Sequence, residues 1–267
     1  MHPVLFRIGT WPLSSYVVLL GIAALVSLWY FKSLEPRMEF GGRGDFWLLT
    51  NLIVFMGMVG GWLLAVGLRL PGAGRWDFSA EGLPTFGVLP GVVAGVWLFT
   101  KLRPGHFLHL LDFVFVVVPV CHGIARLGCF LAGCCYGRPV ASPLPWSVVF
   151  HDPQSEIPAR LLGFPLHPTQ LYEATGDFVL AAFLGLVLLP RVRAKTVPPG
   201  SVCLAYFAGY GLVRLVVDFY RGDTPAAGLS SAQILALVAL GLAIFVWAVR
   251  LAVENNSGSP PHSHVGD

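Results

Sequence analysis

Seven apolar runs of 15 to 21 residues, separated by segments rich in glycine, proline and charge, organise this chain. They cover Ser15–Phe31, Phe46–Val66, Phe86–Thr100, Phe107–His122, Gln170–Leu189, Ser201–Phe219 and Ser231–Leu251. A helix crossing the hydrocarbon of a bilayer needs about 20 apolar residues, so each run predicts a membrane helix. The third and fourth are short, which predicts tilt or re-entry there. Pro90 and Pro119 inside them predict kinked or broken helices. The linkers "SLEPRMEFGGRGD", "RLPGAGRWDFSAEGLP" and "LPRVRAKTVPPG" have the composition of turns. No internal repeat is evident. The tail "ENNSGSPPHSHVGD" is low in complexity, so the expected division is a membrane domain over residues 1–253 and a disordered tail over 254–267.

Composition strengthens this reading. Of the 267 residues 55% are hydrophobic and 12% charged, where a soluble domain carries about 25% charged residues. The expected class is an all-α integral membrane protein with about seven transmembrane helices. A formal charge of +3 gives no reason to expect a nucleic-acid partner. The basic residues report orientation instead. Lys32, Arg37, Arg43, Lys101, Arg103, Arg191, Arg193, Lys195 and Arg250 make nine on one side. Arg7, Arg69, Arg75, Arg138, Arg160 and Arg221 make six, spread over longer segments, on the other. The bias predicts the N-terminus outside and the C-terminus in the cytoplasm, with a long Gly123–His167 connection facing outside. The opening "MHPVLFRIGTWPLSSY" lacks a basic n-region followed by a cleavage site, so the first span is expected to be retained.

Two spans carry charge. In "GYGLVRLVVDFYRGD", Tyr210, Arg214, Asp218 and Arg221 are spaced i, i+4, i+8 and i+11. On a helix they fall within about 80° of one face. An arginine near the middle of a span costs about 2.5–3.5 kcal/mol on insertion scales, so it must face a partner or a polar cavity. The face suits an anionic lipid headgroup, although an Arg214–Asp218 pair could simply fix helix packing. Arg126 follows the fourth run, between Gly123 and Gly128 in "CHGIARLGCFLAGCCYGRP". Glycine permits close backbone approach, and the guanidinium fork suits phosphate. A snorkelling interfacial arginine is the plainer alternative.

The five cysteines, at successive spacings of 8, 5, 1 and 68, form neither a disulfide framework nor a common zinc pattern. They read as reduced, packed small hydrophobes, and no metal or other cofactor is expected. In "LHPTQLYEA", Pro168 suits the first turn of a helix and Glu173 sits at the outer edge of the fifth span, where by itself it could be a cap.

Together these stretches resemble the phosphatidylglycerol–prolipoprotein diacylglyceryl transferases, bacterial inner-membrane enzymes of seven spans. The likeness runs in order along almost the whole chain. "HPVLFRIGTWPLSSY" is similar to the family's opening, which leads to a tyrosine, here Tyr16. "ARLGCFLAGCCYG" is similar to the signature G-R-x-G-N-F-x-N-G-E-x-x-G, keeping Arg126, Gly128, Phe130, Gly133 and Gly137. "HPTQLYEA" resembles "HPSQLYE", "YGLVRLVVDFYR" a tyrosine–arginine–acid helix, and "SSAQIL" the closing "GQIL". There are departures. The signature's asparagines are Cys129 and Ala132, and its glutamate is Cys134. Phe86 stands where a histidine proposed as base would sit, and Trp62 where an arginine is expected.

The resemblance implies transfer of diacylglyceryl from phosphatidylglycerol to the lipobox cysteine thiol of prolipoproteins, with glycerol 1-phosphate released and a thioether formed. It implies a multi-pass protein of the bacterial inner membrane, among membrane lipids. Carbon–oxygen cleavage expels a phosphate ester, so cations must sit where charge builds up. Arg126 and Arg214 are expected to hold that phosphate, with Tyr16 and Tyr210 donating to the headgroup. Gly128, Gly137, His167 and Glu173 are expected to line the substrate. The acceptor thiol, with a pKa near about 8.5, must become a thiolate. Asp218, Glu173 or His167 could take its proton, or an arginine could stabilise the thiolate. Two other classes stay open: a family-derived protein that binds anionic lipid without transferring it, and a small transporter with ionisable residues on kinked spans. The lack of repeat symmetry counts against the transporter.

Overall fold

A computed structural model describes residues 2–69, 85–140, 142, 144–222 and 231–257. The 70–84 linker, the Phe86 side chain and residues 258–267 of the tail lie outside the described residues. Helices dominate: α1 (Ser15–Leu34), α2 (Asp45–Arg69), α3 (Thr85–Leu102), α4 (Phe107–Ala132), α5 (Thr169–Phe183), α6 (Leu189–Arg193), α7 (Ser201–Asp218) and α8 (Ser231–Ser257). A π-helical stretch, Leu184–Leu188, joins α5 to α6 into one span. Among the described residues, five spans are long and apolar enough to cross a membrane, and the apolar parts of α3 and α8 are shorter. The chain is therefore a helical multi-pass membrane protein. α8 continues to Ser257, beyond the domain boundary expected at 253.

Two expectations change. The third run is not broken at its proline, because α3 is continuous through Pro90 over 18 residues. The fourth is not short, because α4 passes Pro119 without a break and runs for 26 residues. Hydropathy falls at His122 because Gly123, Arg126 and Gly128 dilute it, yet those residues are inside the helix. α4 ends only at Gly133, whose φ of 84° allows the left-handed cap; its N–H donates to the Cys129 carbonyl. The connection from α4 to the fifth span therefore begins at Gly133, not at Gly123.

Three devices set the helix packing. Gly87, Gly91 and Gly95 recur every fourth residue of α3 and let it touch the α2 backbone. A Cβ at Gly95 would lie 2.8 Å from the Leu52 carbonyl oxygen, and one at Gly91 would overlap that of Met56. Without a hydrophobic force between helices in lipid, such close approach supplies the dispersion contact. Asp112 of α4 accepts from the backbone N–H groups of Gly200 (2.6 Å), Val202 (2.9 Å) and Cys203 (3.2 Å), capping the free donors of α7. Between these lies an aromatic core that includes Phe31, Phe46, Phe99, Phe113, Phe115 and Tyr206.

Loop contacts sort the ends of the helices. Arg103 pairs with Asp45 (3.3 Å), bringing the first and third linkers together, and Arg250 donates to the Pro199 carbonyl (2.9 Å). At the other end, Arg138 donates to the carbonyl of Arg221 (2.9 Å). Two hairpins complete the chain, and the apolar pattern did not announce them. They are β1 (Val4–Ile8) with β2 (Trp11–Ser14), ahead of α1, and β3 (Val148–Val149) with β4 (Pro165–Leu166), in the connection between α4 and α5.

Candidate active site

The connection after α4 leads into α5 at Pro168, and the second turn of that helix carries Glu173, fully buried. Three guanidinium groups converge on its carboxylate. Arg126 Nη2 lies 2.8 Å from Oε1; Arg214 Nη1 and Arg221 Nη1 lie 3.2 and 3.9 Å from Oε2. Asp218 Oδ1 faces Arg214 Nη2 at 3.3 Å and Arg221 Nε at 3.7 Å. An unpaired charge buried this deeply would cost several kcal/mol, so the five groups stabilise one another as a unit. With three cations and two carboxylates, the unit keeps one excess positive charge. Among the described residues, the Nε donors of Arg126 and Arg214 are buried without a hydrogen-bond partner. A buried cationic cluster with spare N–H donors is suited to an anion with several oxygens, such as a phosphate ester.

The structure brings together most of the residues singled out from the sequence, with different partners. Arg214 pairs with Glu173 as well as with Asp218, so it does more than brace its own helix. Arg126 is seven residues from its helix cap, and its side chain turns inward to Glu173. Glu173 is the hub of the cluster rather than a cap at the outer edge. Helical projection put Arg221 on the same helix face; α7 stops at Asp218, and a bridge from Gly137 to Arg221 turns that side chain back to the cluster. Tyr210 is buried, stacked on Tyr206 at 5.7 Å and edge-on to His122. Tyr16 packs over Gly128, where a Cβ would approach its ring to 3.3 Å. Gly137 is pressed against His167, whose backbone would overlap any Cβ there. His167 itself stands apart from the arginines, with Nδ1 3.2 Å from Tyr172 Oη and its ring 5.1 Å from that of Tyr220. Burial lowers its pKa below the usual imidazole range.

Asp177 went unnoticed in the sequence. It is fully buried one turn beyond Glu173 and meets His122 Nδ1 at 3.0 Å. Two acids four residues apart in an apolar helix were the available signal. Thr169 and Gln170 were missed as well. Their side chains donate to the carbonyls of Cys135 (2.8 Å) and Cys134 (2.7 Å), which fixes the turn after α4. In that turn Cys135 takes a positive φ of 57° and folds back, so that Cys129, Cys134 and Cys135 lie with their sulfurs within 4.8 Å of one another. Spacing in the sequence did not anticipate this cluster. Arg126 Nη1 donates to Cys135 Sγ at 3.4 Å. Hydrogen bonds from the Cys129 and Cys134 thiols hold Cys135 below the usual thiol range.

Beside the charged unit, an apolar groove of about 310 Å³ opens between α5 and α7, lined by Tyr172, Gly176, Val213, Val216 and Tyr220 among others. The helices that form the groove also carry Glu173 and Arg214, which follow its lining residues Tyr172 and Val213 in the chain.

A multi-pass helical membrane protein with a buried, net-cationic cluster flanked by an apolar groove is the class that fold and site define. The chain belongs to the prolipoprotein diacylglyceryl transferase family, whose model it matches over residues 3–249. It is 32% identical to the phosphatidylglycerol–prolipoprotein diacylglyceryl transferase of Clostridium tetani, over 93% of this chain and 98% of that protein. It is 30% identical to the one from Proteus mirabilis, over 94% of this chain and 92% of the relative. A third, from Dehalococcoides mccartyi strain 195, is also 30% identical, over 95% and 96%.

Proposed function

We propose that this chain transfers the diacylglyceryl group of phosphatidylglycerol to the cysteine thiol of a prolipoprotein, in the bacterial inner membrane. One observation carries the reading: Glu173 gathers Arg126, Arg214 and Arg221 into a buried unit with a single positive charge to spare. When the carbon–oxygen bond breaks, negative charge collects on the departing glycerol phosphate. Fixed guanidinium donors stabilise that charge more than they stabilise the intact diester, and only such differential binding speeds the step. Arg126 and Arg214 hold the leaving phosphate through their Nε donors, which have no hydrogen-bond partner among the described residues. Tyr210 and Tyr16 donate to the headgroup, Gly128 and Gly137 keep the walls of the site close, and Asp218 holds Arg214 and Arg221 in place. The groove between α5 and α7 takes an acyl chain, His167 and its aromatic neighbours border the outer mouth, and the lipobox peptide enters from that side. In this arrangement the N-terminus is outside and the C-terminus cytoplasmic.

The test is transfer of radiolabelled diacylglyceryl from phosphatidylglycerol to a lipobox peptide, using variants that insert and purify like the parent. Losing one such donor costs about 2.7–4 kcal/mol, or roughly 100- to 1000-fold in rate. Arg126→Ala and Arg214→Ala should fall by that much, and Arg126→Lys by nearly as much because a point charge cannot reproduce the fork. Alanine variants working within a few-fold of the parent would leave the arginines structural and return the lipid-binding and transporter readings to the front.

A further inference from the structure

The three sulfurs at the end of α4 and in the turn after it have no part in phosphate departure, yet one of them touches Arg126, which has. Their sequence spacing argues against a metal, but that argument counts residues along the chain. The fold removes it. The left-handed cap at Gly133 and the left-handed Cys135 reverse the backbone, so Cys134 and Cys135 come back beside Cys129. A non-glycine residue at positive φ is uncommon, so this turn needs support from outside itself. Here Thr169 and Gln170 hold it in place from α5, and the Glu156 N–H holds the Ala132 carbonyl from the outer connection (3.0 Å). A cysteine turn that is clamped from two distant segments is built to keep its sulfurs together.

We propose that Cys129, Cys134 and Cys135 form a three-thiolate site for zinc, whose fourth position takes the acceptor thiol; this rests on the transfer reaction proposed above. In a tetrahedral zinc site with bonds of about 2.3 Å, sulfurs sit about 3.8 Å apart. The separations of up to 4.8 Å observed here therefore need side-chain shifts of an ångström or less. Zinc with three thiolates carries one negative charge, and Arg126 Nη1 donates to one of the sulfurs at 3.4 Å, as a supporting N–H donor does for a bound sulfur. Three protein ligands leave the position that catalytic zinc keeps open.

Chemical need points the same way. A thiol must lose its proton before it attacks, and the nearby carboxylates are engaged. Glu173 faces three arginines, Asp218 faces two, and Asp177 is paired with His122. A metal-bound thiol is deprotonated outright. The acceptor thiol binds zinc and its proton leaves to water. The bound sulfur then forms its bond to the glyceryl carbon as the carbon–oxygen bond breaks, and the electron pair departs with the phosphate oxygen beside Arg126. The thioether product is neutral and a weak ligand, so it leaves and the fourth position reopens.

The experiment uses the full chain purified in detergent under reducing conditions. Zinc is measured by mass spectrometry, and Co(II) is substituted for it so that thiolate-to-cobalt charge transfer can be read by absorption. One zinc per chain is expected, lost in Cys129→Ser, Cys134→Ser and Cys135→Ser. Adding a lipobox peptide should change the cobalt spectrum, while its serine counterpart should not. The variants should transfer lipid about 100- to 10,000-fold more slowly, the range for losing assistance to a proton transfer. A parent with sub-stoichiometric zinc, or with a disulfide between two of these cysteines, overturns the site. Serine variants that lose zinc but transfer at the parental rate overturn its role in activating the thiol. The transfer reading is judged separately on the same parent. A zinc-free parent that transfers lipid leaves that reading standing, and a zinc-loaded parent that does not transfer sinks it.

Discussion

Replacing Glu173 by glutamine keeps the shape of the hub and removes its charge. In the parent, guanidinium nitrogens lie 2.8, 3.2 and 3.9 Å from its oxygens. At an effective dielectric of 20, each attraction amounts to about 4–6 kcal/mol. The variant does not lose that whole amount, because it also no longer desolvates a carboxylate. Measured losses on breaking a buried pair are about 3–5 kcal/mol, which is the expected destabilisation. For a chain of this length that corresponds to about 6–20 °C in Tm. Excess charge in the cluster would rise from +1 to +2, and Arg126 would lose its partner at 2.8 Å. Thermal unfolding in detergent and the transfer assay together read both effects. Glu173→Gln should melt earlier and transfer poorly, and adding Arg221→Gln should return part of the stability by restoring the balance. A Glu173→Gln protein that melts within about 2 °C of the parent and transfers normally would refute the idea that the five groups form one unit.

Two further outcomes are expected. A reporter fused after Val253 should be cytoplasmic and one inserted near Gln154 outside; the reverse would put the cationic cluster at the cytoplasmic face and overturn the orientation. Asp112→Ala should strip α7 of three capped N–H groups and lower stability by about 3 kcal/mol, with Asp112→Asn retaining part of it. An unchanged Tm for the alanine variant would mean that other contacts fix the start of α7.

What could be read in advance divides along physical lines. Long apolar runs are one-dimensional signals, so the spans could be located from hydropathy, and Arg214 with Asp218 stood out because charge is expensive there. The far end of α4 could not be found that way, since Gly123, Arg126 and Gly128 lower hydropathy while their helix continues inside the protein. Glu173 looked peripheral because its partners come from α4 and from the end of α7, and no local pattern marks contacts between helices. The family resemblance placed Glu173 at the substrate and left it one of three candidate bases, not the hub of an ion cluster. The cysteine cluster was hidden for another reason: a cysteine at positive φ is rare, so spacing rules assume a backbone that this turn does not follow.

Asp112 and Arg126 are fourteen residues apart on α4, and Gly200 and Arg214 are fourteen apart on α7. At 1.5 Å per residue both intervals are about 21 Å long. The two helices run in the same direction and are fastened at matching heights, through a carboxylate on backbone N–H groups at one end and through Glu173 at the other. Sliding one past the other by a single turn, about 5.4 Å, would undo both fastenings at once. They behave as a fixed ruler, and the motions that admit a bulky phospholipid and release a lipidated peptide fall to the helices and hairpins around them.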